Sequence, residues 1–219
     1  MREYTILITM ESYCLLGSGE GWGSVIDTDI VFDRNGLPYF PARRLKGCLR
    51  ESALEVLEML EGTGLKKFDR HIIETTFGRP GDSEGAGVIF NNLLLPNHKE
   101  IVSWLRWGFQ ELNGLLFPET IIATFTSLRQ RTSITKEGIA EDGSLRTCRV
   151  LKSGLTFTGG IIMKSENREI MNLIALSCAN LRHVGTMRTR GYGRVKCSLK
   201  EGEVDLSSKV VDELEEEVG

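Results

Sequence analysis

The chain has 219 residues, 41% hydrophobic and 26% charged, with a formal charge of −3 at pH 7. A chain of that length buries roughly 70% of its unfolded surface, which excludes a disordered segment or a disulfide-dependent miniature. Its five cysteines form no Cys-x-x-Cys pair and no histidine is spaced to complete a zinc site, so they read as reduced thiols.

The N-terminus MREYTILITMESY alternates polar and apolar residues, unlike a signal peptide or a membrane span, and a cytoplasmic protein is expected, with no membrane partner. Within it Tyr4, Ile6, Ile8 and Met10 recur at period two, the mark of a half-buried first strand. From Pro41 the period becomes helical through Leu45, Leu49, Ala53, Val56, Leu57 and Leu60, and Gly62 stops the run. Arg43, Lys46 and Arg50 occupy the opposite face.

Residues 87–96, GVIFNNLLLP, read as a second strand, and residues 153–164, SGLTFTGGIIMK, as a third. Between them the pattern predicts a helix around 98–113 and a Thr-rich extended segment over 120–131. Residues 165–181 put Ile170, Leu173, Ile174, Cys178 and Leu181 on one helical face behind a serine able to cap it. GRVKCSLK closes as a final strand.

Without its insertions the order is strand, helix, strand, strand, helix, strand, which predicts an α+β fold with a ferredoxin-like (RRM-like) βαββαβ core. The insertions fall at about 12–42 and 97–150, longer than structureless loops usually run. No linker composition divides residues 1–200, so they read as one domain. Residues 201–219 carry eight carboxylates against Lys209 alone, a charge of −7 that leaves +4 on residues 1–200. This stretch reads as a solvated acidic tail.

The basic charge collects in LRHVGTMRTRGYGRVKCSLK, residues 181–200, with six Lys/Arg side chains, three glycines and no carboxylate. In such a turn Gly185, Gly191 and Gly193 allow positive φ or close backbone approach, and exposed N–H groups bind phosphate oxygens. Arg188, Arg190 and Arg194 add charge and Tyr192 a stacking face, a combination suited to a polyanion. Neither the Walker spacing nor the dinucleotide fingerprint is present.

GTMRTRGYGRV resembles the C-terminal glycine-rich loop of the RAMP superfamily, the ferredoxin-like RNA-binding proteins of CRISPR systems. IDTDIVFDRNGLPYFPARRLKGCLRE, residues 26–51, is similar to that superfamily's Asp-x-Gly-x-Pro-Tyr-x-Pro-x-x-x-Leu-x-Gly-x-x-Arg signature. FGRPGDSEGAGVIFNNLLL and RTSITKEGIAEDGSLRTCRVLKSGLTFTG resemble segments of the backbone subunits of type III effector complexes.

The resemblance implies a subunit that assembles with copies of itself and other effector subunits along a CRISPR RNA and holds a target single-stranded RNA opposite it. It implies guide contacts from Gly185, Arg188, Arg190, Gly191, Tyr192 and Gly193, with Arg43, Arg44 and Lys46 at the first helix. It further implies a β-hairpin thumb around 130–150, with Arg129, Arg131 and Lys136 as phosphate contacts. In target-slicing members an aspartate six residues before the signature's aspartate is needed for metal-dependent endoribonuclease cleavage. Counted back from Asp33 this is Asp27, a ligand for Mg²⁺ or Mn²⁺, with Asp29 close enough to share the metal. Asp33 itself belongs to the DRNG turn. Two other readings stand beside target slicing: a non-cleaving structural RNA-binding subunit, and a guide-processing ribonuclease using one of His71, His98 and His183.

Overall fold

The structure, a computed structural model, describes residues 4–17, 26–79, 86–112 and 114–218. Strand β1 (Tyr4–Met10) buries Tyr4, Ile6, Ile8 and Met10 on one side, as their alternation requires. Helix α1 (Ala42–Gly62) turns Leu45, Leu49, Ala53, Val56 and Leu57 inward behind Pro41, whose fixed φ of −63° sets the start. A further helix, α2 (His71–Phe77), packs on α1 through buried Ile72, Ile73 and Phe77; the sequence reading did not include it.

Strand β2 (Val88–Phe90) is shorter than the expected 87–96 run, because beyond it the chain pairs only through single bridges, Leu93 with Phe40 and Leu94 with Thr158. Helix α3 (His98–Glu111) follows, then α4 (Pro118–Phe125), where an extended segment was expected. Thr and Ile favour strands in isolation, but Pro118 at the first turn presets helical φ. The Thr120 hydroxyl also accepts from the Phe117 N–H at 3.3 Å, and Ile122 gains a buried site.

Strands β3 (Thr126–Arg131) and β4 (Arg146–Leu151) form a separate antiparallel hairpin. Strand β5 (Thr156–Met163) returns to the main sheet and leads to α5 (Arg168–Asn180). The cap of α5 is Asn167 and not the expected serine: its carboxamide oxygen accepts from the Glu169 and Ile170 N–H groups at 2.8 and 3.2 Å. Strands β6 (Val195–Glu201) and β7 (Val204–Asp205) and helix α6 (Leu206–Val218) complete the described chain.

The main sheet runs β2-β5-β1-β6-β7 with every pair antiparallel, and Ile6 at its centre faces Gly159 on one side and Leu199 on the other. This is an α+β architecture built on antiparallel sheets. Helices α1 and α5 pack on each other, joined by a buried polar link in which Ser52 Oγ donates to the Ser177 carbonyl at 2.9 Å. The stretch read as a solvated tail instead folds back as β7 and α6. Leu206 and Val210 are buried, and α6 packs on α5 and β6. Its carboxylates occupy the outer side of an amphipathic helix, a period that the charge count concealed.

Candidate nucleic-acid interface

The hairpin is wider than two strands. Residues 26–30 run beside β4: Thr28 bridges Cys148 in parallel, and the Asp27 N–H donates to the Thr147 carbonyl at 2.9 Å. The Thr147 N–H in turn donates to Asp27 Oδ2 at 2.7 Å, and Arg146 Nε lies 3.6 Å from Asp27 Oδ1. Asp27 keeps 43% of its side chain exposed, so it is a fixed carboxylate open to solvent.

Asp29 is different. It is 5% exposed, Arg149 Nη1 donates to both its oxygens at 2.9 and 3.2 Å, and its Oδ1 also accepts from the Ile30 N–H at 2.7 Å. A carboxylate neutralised in place by a guanidinium holds the fold and offers little to a cation. The expectation that Asp27 and Asp29 share a metal therefore has no geometric support. Asp33 caps its own turn, accepting from the N–H groups of Asn35 and Leu37 at 2.8 and 3.0 Å.

Among the described residues no group of three or more His, Cys, Asp or Glu side chains is placed to hold a metal. Among the described residues, with Asp29 paired to Arg149, Asp27 fits Mg²⁺ or Mn²⁺ as one protein ligand, an arrangement these ions accept when substrate phosphates and waters complete the shell. Most of the Gly-rich stretch before Asp27, residues 18–25, lies outside the described residues, as do residues 80–85.

The glycine-rich loop packs directly on the chain leaving β1. Thr186 bridges Leu15, and the Gly193 N–H donates to the Tyr13 carbonyl at 2.7 Å. Gly185 and Gly193 take φ of +77° and +75°, and a Cβ on Gly193 would overlap the Val184 carbonyl. These two glycines serve close packing; the Gly193 amide, engaged internally, cannot serve a phosphate. Gly191, at φ +79°, faces open space.

The three arginines of the loop have separate environments. Arg188 donates to the Gly185 carbonyl and, at 3.2 Å, to Glu51 on α1. Arg194 pairs with Glu11 at 2.8 Å. Arg190 is exposed and faces the hairpin, whose Arg131 reaches the loop by donating to Met187 Sδ at 3.8 Å. Arg129 lies over the Tyr13 ring, 4.3 Å from its centroid, a cation–π contact. Tyr192 is half-buried against the core and offers only part of its ring for stacking.

The candidates on α1 divide. Arg44 lies near Cys14 and Cys48, and Glu51 meets Arg188, so the Arg44, Cys48, Glu51 stripe borders the loop. Arg43, Lys46 and Arg50 lie roughly 130° around the helix, on a stripe that Arg50 carries toward α2. The sequence grouped Arg43, Arg44 and Lys46, whereas the fold brings only Arg44 to the loop. Burial pushes the Cys14 thiol up to about 12 and raises Cys48 as well, so neither adds negative charge beside the loop at neutral pH.

Lys136 is exposed at the hairpin tip, where Ile134, Ile139 and Leu145 also stand out into solvent, and Leu128 is exposed further down on β3. The sequence reading missed Arg146, Arg149, Tyr13 and Glu51. Arg146 alone had a local signal, since it mirrors Arg131 across the hairpin turn.

This chain belongs to the RAMP superfamily, whose family model matches residues 19–196. Among solved structures, a chain of the type III-B Cmr-beta bound to cognate target RNA superposes with a TM-score of 0.65 at 14% identity, covering 91% of this chain and 97% of that one. A chain of the type III-B Cmr-beta in its apo state gives 0.63 at 14% identity, covering 93% and 99%. No curated protein matches. No described helix is long and apolar enough to cross a membrane.

Proposed function

We propose that the protein is an RNA-binding backbone subunit of a type III CRISPR effector complex. In this reading it holds CRISPR RNA and its paired target, assembles with copies of itself and other subunits, and cleaves the target at Asp27. The observation that carries this is the placement of an open, backbone-anchored carboxylate on the flank of an arginine-bearing hairpin that reaches the basic glycine loop. The strand order β2-β5-β1-β6, with α1 after β1 and α5 after β5, supports a ferredoxin-like βαββαβ core, and the β3–β4 hairpin supports the thumb. Its exposed Leu128, Ile134, Ile139 and Leu145 suit insertion against an unstacked base.

Asp27 is the residue that would hold Mg²⁺ or Mn²⁺, and the ion would supply charge stabilisation to the reacting phosphate. Asp27 is oriented by the Thr147 N–H and Arg146, while the hairpin bends the strand so that a ribose 2′-hydroxyl lines up with its own phosphate. In-line attack forms a bond from the 2′-oxygen to phosphorus as the P–O5′ bond breaks; the 2′-hydroxyl proton passes to water and the leaving 5′-oxygen takes a proton from water, which leaves a 2′,3′-cyclic phosphate and a 5′-hydroxyl.

The test is Asp27→Ala in an assembled guide–target complex with Mg²⁺ or Mn²⁺. Guide binding is expected to hold while cleavage falls by orders of magnitude. Cleavage at the wild-type rate refutes the catalytic assignment. That Asp27 belongs to no group of three or more His, Cys, Asp or Glu side chains placed to hold a metal, among the described residues, favours one alternative, a subunit that binds RNA without cutting. Absence of cleavage by wild type, with EDTA making no difference, selects it.

A further inference from the structure

Arg131 and Arg146 are directly opposed in the β3–β4 ladder, both exposed. Opposed side chains in an antiparallel pair stand about 5 Å apart at Cβ, and like charges there destabilise the ladder unless an anion lies between them. Arg146 has Asp27 at 3.6 Å from Nε and donates through Nη1 to the Gly143 and Leu145 carbonyls at 2.9 and 3.0 Å, whereas the Arg131 guanidinium donates to the neutral thioether of Met187. Arg190 comes from the glycine loop to the same cleft, which has a volume of about 920 Å³. Glu141 and Asp142 also line it, yet neither lies within ion-pair distance of these arginines.

We infer that Arg131, Arg146 and Arg190 converge on one RNA phosphodiester, seated in the cleft between the hairpin and the glycine loop and beside Asp27. The three cations come from three separate elements, β3, β4 and the 3₁₀ turn Arg188–Arg190, so the seat exists only when the hairpin docks on the loop. Guanidinium forks match phosphate oxygens geometrically, and several can address one group. Arg146, whose Nε faces Asp27 and whose Nη1 is held by the Gly143 and Leu145 carbonyls, then reaches the phosphate through Nη2, which fixes which linkage lies next to the carboxylate.

The inference rests on the RNA-binding reading above, and equilibrium binding separates the two. The probe is a fluorescein-labelled single-stranded RNA titrated with the whole protein over a range of salt, with no cleavage required. Each phosphate neutralised on a single strand contributes about 0.7 to the log–log salt slope. Three arginines on one phosphate therefore predict a decrease of about 0.7 for the triple variant Arg131→Gln, Arg146→Gln, Arg190→Gln, whereas three arginines on three phosphates predict about 2. A decrease near 2, or none, overturns the shared seat while leaving RNA binding intact. A wild-type protein that binds no RNA overturns the functional reading itself.

A second measurement is independent of the slope. Single neutral methylphosphonate linkages, placed one at a time first in a guide RNA and then in its paired target, should weaken wild-type binding at one linkage per subunit. They should have no effect at that linkage on the triple variant. Sensitivity in the guide or in the target identifies the strand that supplies the phosphate. Equal sensitivity of wild type and triple variant at every linkage overturns the proposal.

Discussion

Replacing Asp29 with alanine should unfold the protein far more readily than replacing Asp27, although the two are neighbours in sequence. Asp29 is 5% exposed, and the side chains of Arg149 and Asp29 are 12% and 7% exposed, with the ion pair at 2.9 Å. Removing the carboxylate leaves a guanidinium charge in a half-dry site without the anion that neutralises it at that distance. Breaking a buried pair from one side destabilises by about 3 kcal/mol, at the lower end of the usual range. For a chain of this size that lowers Tm by roughly 10 °C. Asp27→Ala removes an exposed acceptor for one N–H and should destabilise by about 1 kcal/mol or less. Urea unfolding followed by circular dichroism measures both. The double variant Asp29→Ala, Arg149→Ala should be less destabilised than the sum of the single variants, because it removes the charge along with its partner. If Asp29→Ala costs no more than Asp27→Ala, or if the double variant is simply additive, the pair does not hold the 26–30 segment. A loss of cleavage in Asp29→Ala would otherwise report damage to the fold rather than chemistry at Asp29.

Deletion of α6 should destabilise the chain by about 3 kcal/mol or more, since Leu206 and Val210 lose buried sites and α5 and β6 lose their cover; thermal melts of the truncated protein check this. Gly193→Ala should destabilise by more than about 2 kcal/mol, because a left-handed φ and an overlap with the Val184 carbonyl coincide. Gly191→Ala, with the same φ sign and open space around it, should stay near about 1 kcal/mol, and chemical denaturation separates the two. For Cys14, burial raises the thiol from 9.0 to about 12, so between those values the unfolded chain has lost a proton that the folded chain keeps. Stability is therefore intact below pH 9.0 and declines as pH rises toward about 12, by up to about 4 kcal/mol from this group. Urea midpoints measured across that window should fall more steeply for wild type than for Cys14→Ala.

The parts of this fold that sequence displays are those carried by short-range period. Tyr4, Ile6, Ile8 and Met10 announce a strand, and the Leu45 to Leu57 spacing announces a helix, because each side chain's face is set by its own neighbours. Where a choice depended on distant residues the sequence was mute or misleading. Thr120 to Phe125 have strand-forming side chains, and a proline start and a buried position for Ile122 decided otherwise. Leu206, Val210 and Leu214 keep a helical period beneath an excess of carboxylates over lysine, which hid an ordinary docked helix. The candidate site follows the same division. The glycines and arginines of residues 185–194 were visible as a composition, but their separation into structural Gly193, tethered Arg188 and outward Arg190 depends on Tyr13 and Glu51, far away in sequence, as well as on the neighbouring Val184. Asp27 and Asp29 look equivalent on paper; Arg149, 120 residues downstream, makes one a support and leaves the other open.

The pairing of residues 26–30 along β4 makes the hairpin and the Asp27 segment a single ribbon. Backbone hydrogen bonds run across it from Asp27 to Thr147 and from Arg149 to Thr28, so the carboxylate has no hinge of its own relative to the hairpin. Under the proposed function, a nucleic acid that pushed the hairpin aside would carry Asp27 with it, and one that seated the hairpin would bring the carboxylate into place in the same movement. Registration of the strand and alignment of the acid would then be one degree of freedom, and the hairpin would act as a ruler as well as a wedge.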